Sequence, residues 1–147
     1  MRPVSPVGIL SVLAGQSAYA QHKAEMLDQV NCVPLDERLL IASYMRKGSV
    51  VLAIMEYTTD ILGAKFGTSG GSGILTDGEF YWRGDAADYV EVYGVSPGPE
   101  FIQRVRDQNG EPLALTQDEI ADIDDFFVAM RRINPRGDGP AGKSRTP

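Results

Sequence analysis

One cysteine and one histidine stand in this chain of 147 residues. Cys32 alone closes no internal disulfide and builds no cysteine metal cluster. His22 alone excludes a histidine-rich metal site and argues against a histidine-based catalytic dyad. No apolar run reaches the roughly 20 residues of a membrane span. Basic side chains are also scarce, 14 Lys and Arg against 20 Asp and Glu. These absences leave no cofactor or metal to expect, and no basic stripe of the kind that nucleic-acid phosphates require.

What is present fits one soluble domain: 43% apolar and 23% charged residues, in a chain long enough to bury a core unaided. The net charge of −6 is uneven: residues 1–133 hold 11 basic and 19 acidic side chains, while the tail is slightly basic. An acidic body suits a basic protein partner, because complementary fields speed and select association. Solubility alone would account for it equally well.

Residues 1–15 read as a flexible lead-in, 16–133 as one globular α+β domain and 134–147 (NPRGDGPAGKSRTP) as a disordered tail with nothing to bury. Val7–Leu13 and Ala18-Tyr19-Ala20 sketch a secretory signal, but Pro6 and Gly8 interrupt a short apolar stretch, so a cytoplasmic location is the expectation. Gln16–Val30 is compatible with a helix burying Tyr19, Met26, Leu27 and Val30. Pro34–Lys47 predicts another, with Leu39, Leu40 and Tyr44 as its apolar side and charges suited to the helix dipole. Val50–Met55 reads as a buried central strand. The glycines between Thr58 and Gly73 read as a flexible connection; they lack the Gly-Lys-Ser/Thr ending of a phosphate loop.

Asp77-Gly78 between ILT and EFYW predicts a hairpin with a two-residue type I′ turn. Alternation puts Phe80 and Trp82 on the core side and Glu79, Tyr81 and Arg83 outside. Asp85 is placed to cap a helix over Ala86–Tyr93 that ends at Gly94, with Tyr89, Val90 and Tyr93 on one side and Asp88 and Glu91 facing away. Pro99 opens a helix carrying Phe101, Ile102 and Val105. Thr116 and Glu119 form a capping box for a last helix with Ile120, Ile123, Phe127 and Met130 inward. Helices, a strand, a hairpin and more helices indicate an α+β fold with a small antiparallel sheet.

Asp77, Glu79, Asp85 and Asp88 form a dense carboxylate group. An acid–base hydrolase would need such a pair, but turn and cap duties at Asp77 and Asp85 explain most of it. The spacing supplies no calcium loop, and no serine has a neighbouring base. Cys32 reads as a small core residue and His22 as exposed. Asp60 reads as a turn former or a contact at the sheet edge. Glu79, Tyr81, Asp88, Tyr89, Glu91 and Tyr93 then stand as a candidate partner-binding face, on a frame set by Asp77, Gly78, Trp82 and Asp85.

The string ILTDGEFYWRGDAADYVEVYG followed by Pro99-Glu100-Phe101, with an echo over Leu39–Asp60, resembles a pattern in small bacterial proteins that look like immunity partners of polymorphic or contact-dependent toxins. Two departures stand out: the stiff Ser96-Pro97-Gly98-Pro99 turn, and Asp88 where a second tyrosine is common. The resemblance implies a non-enzymatic domain that plugs the basic site of a cognate toxin with an acidic, tyrosine-bearing face. The alternative is a small enzyme or ligand-binding domain with a pocket between the glycine-rich loop and the hairpin.

Overall fold

The computed structural model describes residues 1–133. The tail assignment for 134–147 lies outside them. The elements are β1 (Ser5–Pro6), a 3-10 turn (Gly8–Ser11), α1 (Gln16–Tyr19), a second 3-10 turn (Ala20–His22), α2 (Lys23–Leu27), α3 (Leu35–Arg46), β2 (Ser49–Leu52), β3 (Tyr57–Thr59), β4 (Gly67–Ser69), β5 (Ile74–Thr76), β6 (Phe80–Arg83), α4 (Ala86–Tyr93), α5 (Pro99–Asp107) and α6 (Gln117–Ile133). Four strands form a sheet in the order β1-β6-β5-β2, and β3 and β4 form a separate ribbon. β1 runs parallel to β6, while β5 pairs antiparallel with both β6 and β2. The fold is α+β, with a modest mixed sheet packed against several helices. None of the helices among the described residues is long and apolar enough to cross a membrane.

Both faces of the sheet are covered, and this sets the fate of the aromatic strand. On one side Phe80 and Trp82 meet Phe101 of α5 at ring separations of 5.4 and 5.2 Å. The Trp82 indole N–H donates to the Met45 carbonyl of α3, so the large ring is buried with its polar atom satisfied. On the other side Tyr81, Ile74 and Val4 pack beneath Ile123 and Phe127 of α6. The capping box that starts α6 is formed: the Thr116 N–H donates to Glu119 and the Glu119 N–H to Thr116.

Several expectations are corrected. Residues 1–15 are no loose lead-in: Val4, Val7, Ile9, Leu10 and Val12 are buried. The stretch that resembled a signal core is held because β1 pairs with the strand leaving the hairpin. The single helix expected over Gln16–Val30 is broken into α1, a 3-10 turn and α2; Tyr19 and Met26 are buried, but Leu27 is exposed. On α3 the inward face is Ile41, Ala42, Tyr44 and Met45, which leaves Leu39 and Leu40 exposed. β2 is an edge strand, with Val50 55% exposed. A continuous apolar run does not reveal how many neighbours a strand has. Cys32 is exposed rather than core, and His22 is half-buried, its ring centroid 6.0 Å from that of Tyr19.

The hairpin forms with its turn one residue later than expected. Thr76 lies opposite Tyr81 and the Asp77 N–H donates to the Phe80 carbonyl, so Gly78 and Glu79 are the central residues. Positive φ falls on Gly78 alone of these two, at +95°, the pattern of a type II′ turn with glycine first. The Asp77 carboxylate accepts the Glu79 and Phe80 N–H groups, which holds Asp77 at the end of the strand. A Cβ on Gly78 would stand 2.9 Å from Arg2 Nη2 and 3.1 Å from Leu115 Cδ2. Gly78→Val is therefore expected to cost about 1 kcal/mol or more, from backbone strain and crowding together. An unchanged urea midpoint would contradict that expectation.

Candidate functional site

The hairpin and α4 carry two buried carboxylates, and each is saturated from within the chain. Asp77 Oδ2 accepts the Tyr44 hydroxyl at 2.6 Å and Arg104 Nε at 2.7 Å, while Oδ1 takes the two turn N–H groups. Burial, reinforced by the hydrogen bond to Asp77, pushes the Tyr44 phenol well above its ordinary range. Asp85 starts α4 but makes no side-chain cap. Its carboxylate instead takes Arg83 Nε at 2.9 Å and Nη2 at 3.1 Å, together with the Thr58 hydroxyl at 3.0 Å.

Arg83, expected on the solvent side, is fully buried. Its Nη1 donates to the Val12 and Ala14 carbonyls, and its guanidinium carbon sits 3.6 Å from the Tyr19 ring centroid. Burial works against its charge, but the hydrogen bond and charge of Asp85 outweigh that and raise its pKa. The ion pair therefore ties residues 12–14 to the sheet. The sequence offered little sign of it, since Asp85 two residues on resembles a helix cap.

The tyrosines of the candidate face are not available to a partner. Tyr81 and Tyr89 are 0% exposed and Tyr93 is 9% exposed. Tyr81 packs edge-on against Phe127, because α6 covers the face expected to meet water. Tyr89 packs against Phe66 at 4.8 Å, and its oxygen accepts the Ile61 N–H. The Tyr93 hydroxyl donates to Asp60, and burial together with that carboxylate pushes its pKa up to about 12.

Asp60 organises the loop after β3. Its carboxylate accepts the N–H groups of Leu62, Gly63, Ala64, Lys65 and Phe66 as well as the Tyr93 hydroxyl. Of its two expected roles, the turn is the one observed. The glycine-rich stretch is likewise tightly fitted: a Cβ on Gly71 would fall 1.7 Å from Thr58 Oγ1, and one on Gly84 would fall 2.4 Å from the Gly70 carbonyl oxygen. Glycine is needed there for close approach rather than for flexibility.

The surface acids of the face are also engaged. Arg46 spans Asp88 at 2.7 Å and Glu91 at 2.6 Å, and Arg104 reaches Glu79 at 2.7 Å. Glu79 and Glu91 remain exposed, but their charge is largely answered by arginines from α3 and α5. Sequence reasoning missed both arginines, which lie far from these acids along the chain.

A groove nearby is better placed to receive a partner. It has a volume of about 460 Å³ and lies beside the Ser96–Pro99 turn. Pro6, Ile9, Phe80, Pro97, Pro99 and Phe101 give it apolar walls, and Glu25 and Glu100 are its only charged lining residues. Among the described residues no group of histidine, cysteine or carboxylate side chains could hold a metal ion. Chemically, the arrangement can accept a cationic group on an apolar stem. Comparison with protein-family models, with curated proteins and with solved structures finds no match.

Proposed function

We propose that the chain is a protein-binding domain without chemistry of its own, acting as an immunity protein that neutralises a cognate bacterial toxin. The groove beside Ser96–Pro99 carries the reading: its walls are apolar and its charged lining is wholly acidic. A lysine or arginine of the partner can lay its stem along Phe80, Phe101 and the prolines and bring its charge to Glu25 and Glu100. The stiff turn that departs from the resembled pattern forms part of this wall, so partner choice resides there. Saturation of Asp60, Asp77 and Asp85 by internal donors supports a scaffold role for these buried acids. The reading includes a cytoplasmic location, where a toxin would be blocked as it is made, and requires no cofactor.

The adjoining reading frame supplies the test. Its product is expected to arrest growth when expressed alone and to be tolerated when this chain is co-expressed. Glu25→Lys combined with Glu100→Lys should remove that protection. Both side chains are exposed, and such surface changes usually shift stability by about 0.5 kcal/mol or less. A harmless neighbour would remove the toxin partner from the reading. Full protection by the double variant would remove the groove.

A further inference from the structure

We infer that a second concavity binds a short, neutral aliphatic molecule bearing one alcohol or carbonyl oxygen. A slot of about 160 Å³ is lined by Leu13, Leu52, Ile54, Ile74, Phe127 and Met130. Ser72 of the glycine-rich loop lines it as well, at 4% exposure. Its Oγ is the one buried side-chain nitrogen or oxygen among the described residues that has no hydrogen-bond partner. Its neighbours in the chain show no such deficit: the Gly71 N–H donates to the Glu56 carbonyl and the Gly73 N–H to the Gly70 carbonyl. A hydroxyl left unpaired against hydrocarbon is costly, and a ligand oxygen in the slot would relieve it.

Size and charge narrow the class. An apolar cavity of about 150 Å³ admits a molecule of benzene size, so five or six heavy atoms fit here. One charged residue lines the slot, and an opposite charge lies near its Gly15 wall. Arg131 is an exposed lining residue, and the Glu56 carboxylate lies 3.6 Å from the position of a Gly15 Cβ, Gly15 being another lining residue. Burying a charged head group of either sign beside Ser72 would carry a heavy desolvation cost, which selects for a neutral ligand.

The site is tested by titrating isotopically labelled protein with 1-pentanol, 2-pentanone and pentanoate while following backbone amide signals. Amides of residues 13–15, 52–54 and 72–74 should shift together and saturably with the two neutral probes, and more weakly with pentanoate. Ser72→Ala should melt at or above the wild-type temperature, because it deletes an unpaired group. It should also weaken binding of the neutral probes roughly threefold to tenfold, the worth of one neutral hydrogen bond. Absence of a saturable shift would leave Ser72 with a trapped water only and overturn the inference. Equal affinity in the variant, a large fall in its melting temperature, or tighter binding of pentanoate would each overturn it too.

Discussion

Arg83→Met is expected to lose about 3–5 kcal/mol of stability, because it strands the Asp85 carboxylate in the interior without its counter-charge. A domain of this kind is stable by only about 5–15 kcal/mol, so the variant should unfold at a much lower urea concentration. Three losses combine at this one position. The bidentate pair with Asp85 disappears, the Val12 and Ala14 carbonyls lose their donor, and the cation over the Tyr19 ring is removed. Arg83→Met with Asp85→Leu should recover part of the loss, since an apolar pair of similar volume often replaces a buried ion pair at little cost. Recovery should be partial because Thr58, Val12 and Ala14 remain without their partners. A wild-type urea midpoint in the single variant would show that the pair does not hold the fold.

Asp60→Asn comes second, at about 3 kcal/mol. The carboxylate answers five backbone N–H groups, whereas an amide offers one oxygen and turns two donors of its own toward them. The pH dependence identifies the cause. Burial alone would raise the pKa of Asp60, but the hydrogen bonds from Gly63, Phe66, Leu62 and Tyr93 outweigh it and hold the pKa below its ordinary value. A carboxylate with a depressed folded pKa stabilises fully above its unfolded value, near 4, and loses that contribution as pH falls through the folded value. The gap between wild type and Asp60→Asn should therefore be complete at neutral pH and shrink below about pH 4. Urea unfolding of both proteins at pH 6 and pH 3 checks this. A gap independent of pH would assign the effect to packing instead.

The two predictions also show what could be read in advance. Elements with local punctuation were legible: the helix opened by Pro99, the capping box of α6, Gly94 after α4 and the hairpin itself. Their signals lie within a few residues of the structure they specify. The orientation of Tyr81 was not legible. Strand alternation divides Phe80 and Trp82 from Tyr81 and Arg83, but whether the second set meets water depends on distant residues, Phe127 for Tyr81 and Tyr19, Val12 and Ala14 for Arg83. The partners of the candidate face were hidden in the same way: Tyr81 meets α6, Tyr89 and Tyr93 meet the loop after β3, and the acids meet arginines of α3 and α5. Ser72 carries no sequence signal at all, because an unpaired hydroxyl is a property of its surroundings.

The pairing of β1 with β6 has a consequence for the order in which the chain can fold during synthesis. Ser5 and Pro6 leave the ribosome well ahead of their partners, Phe80 and Tyr81, which follow roughly 75 residues later. Arg2 waits longer still, since its partner Glu119 lies 117 positions away. At ribosomal rates of about 5–20 residues per second, Val7, Ile9, Leu10 and Val12 stay unburied for several seconds or more. Loop-closure entropy must be met before these distant contacts contribute, which slows the last step further. The nascent chain thus carries an unprotected apolar segment until Phe80 and Tyr81 emerge, a natural substrate for a chaperone that binds short hydrophobic stretches.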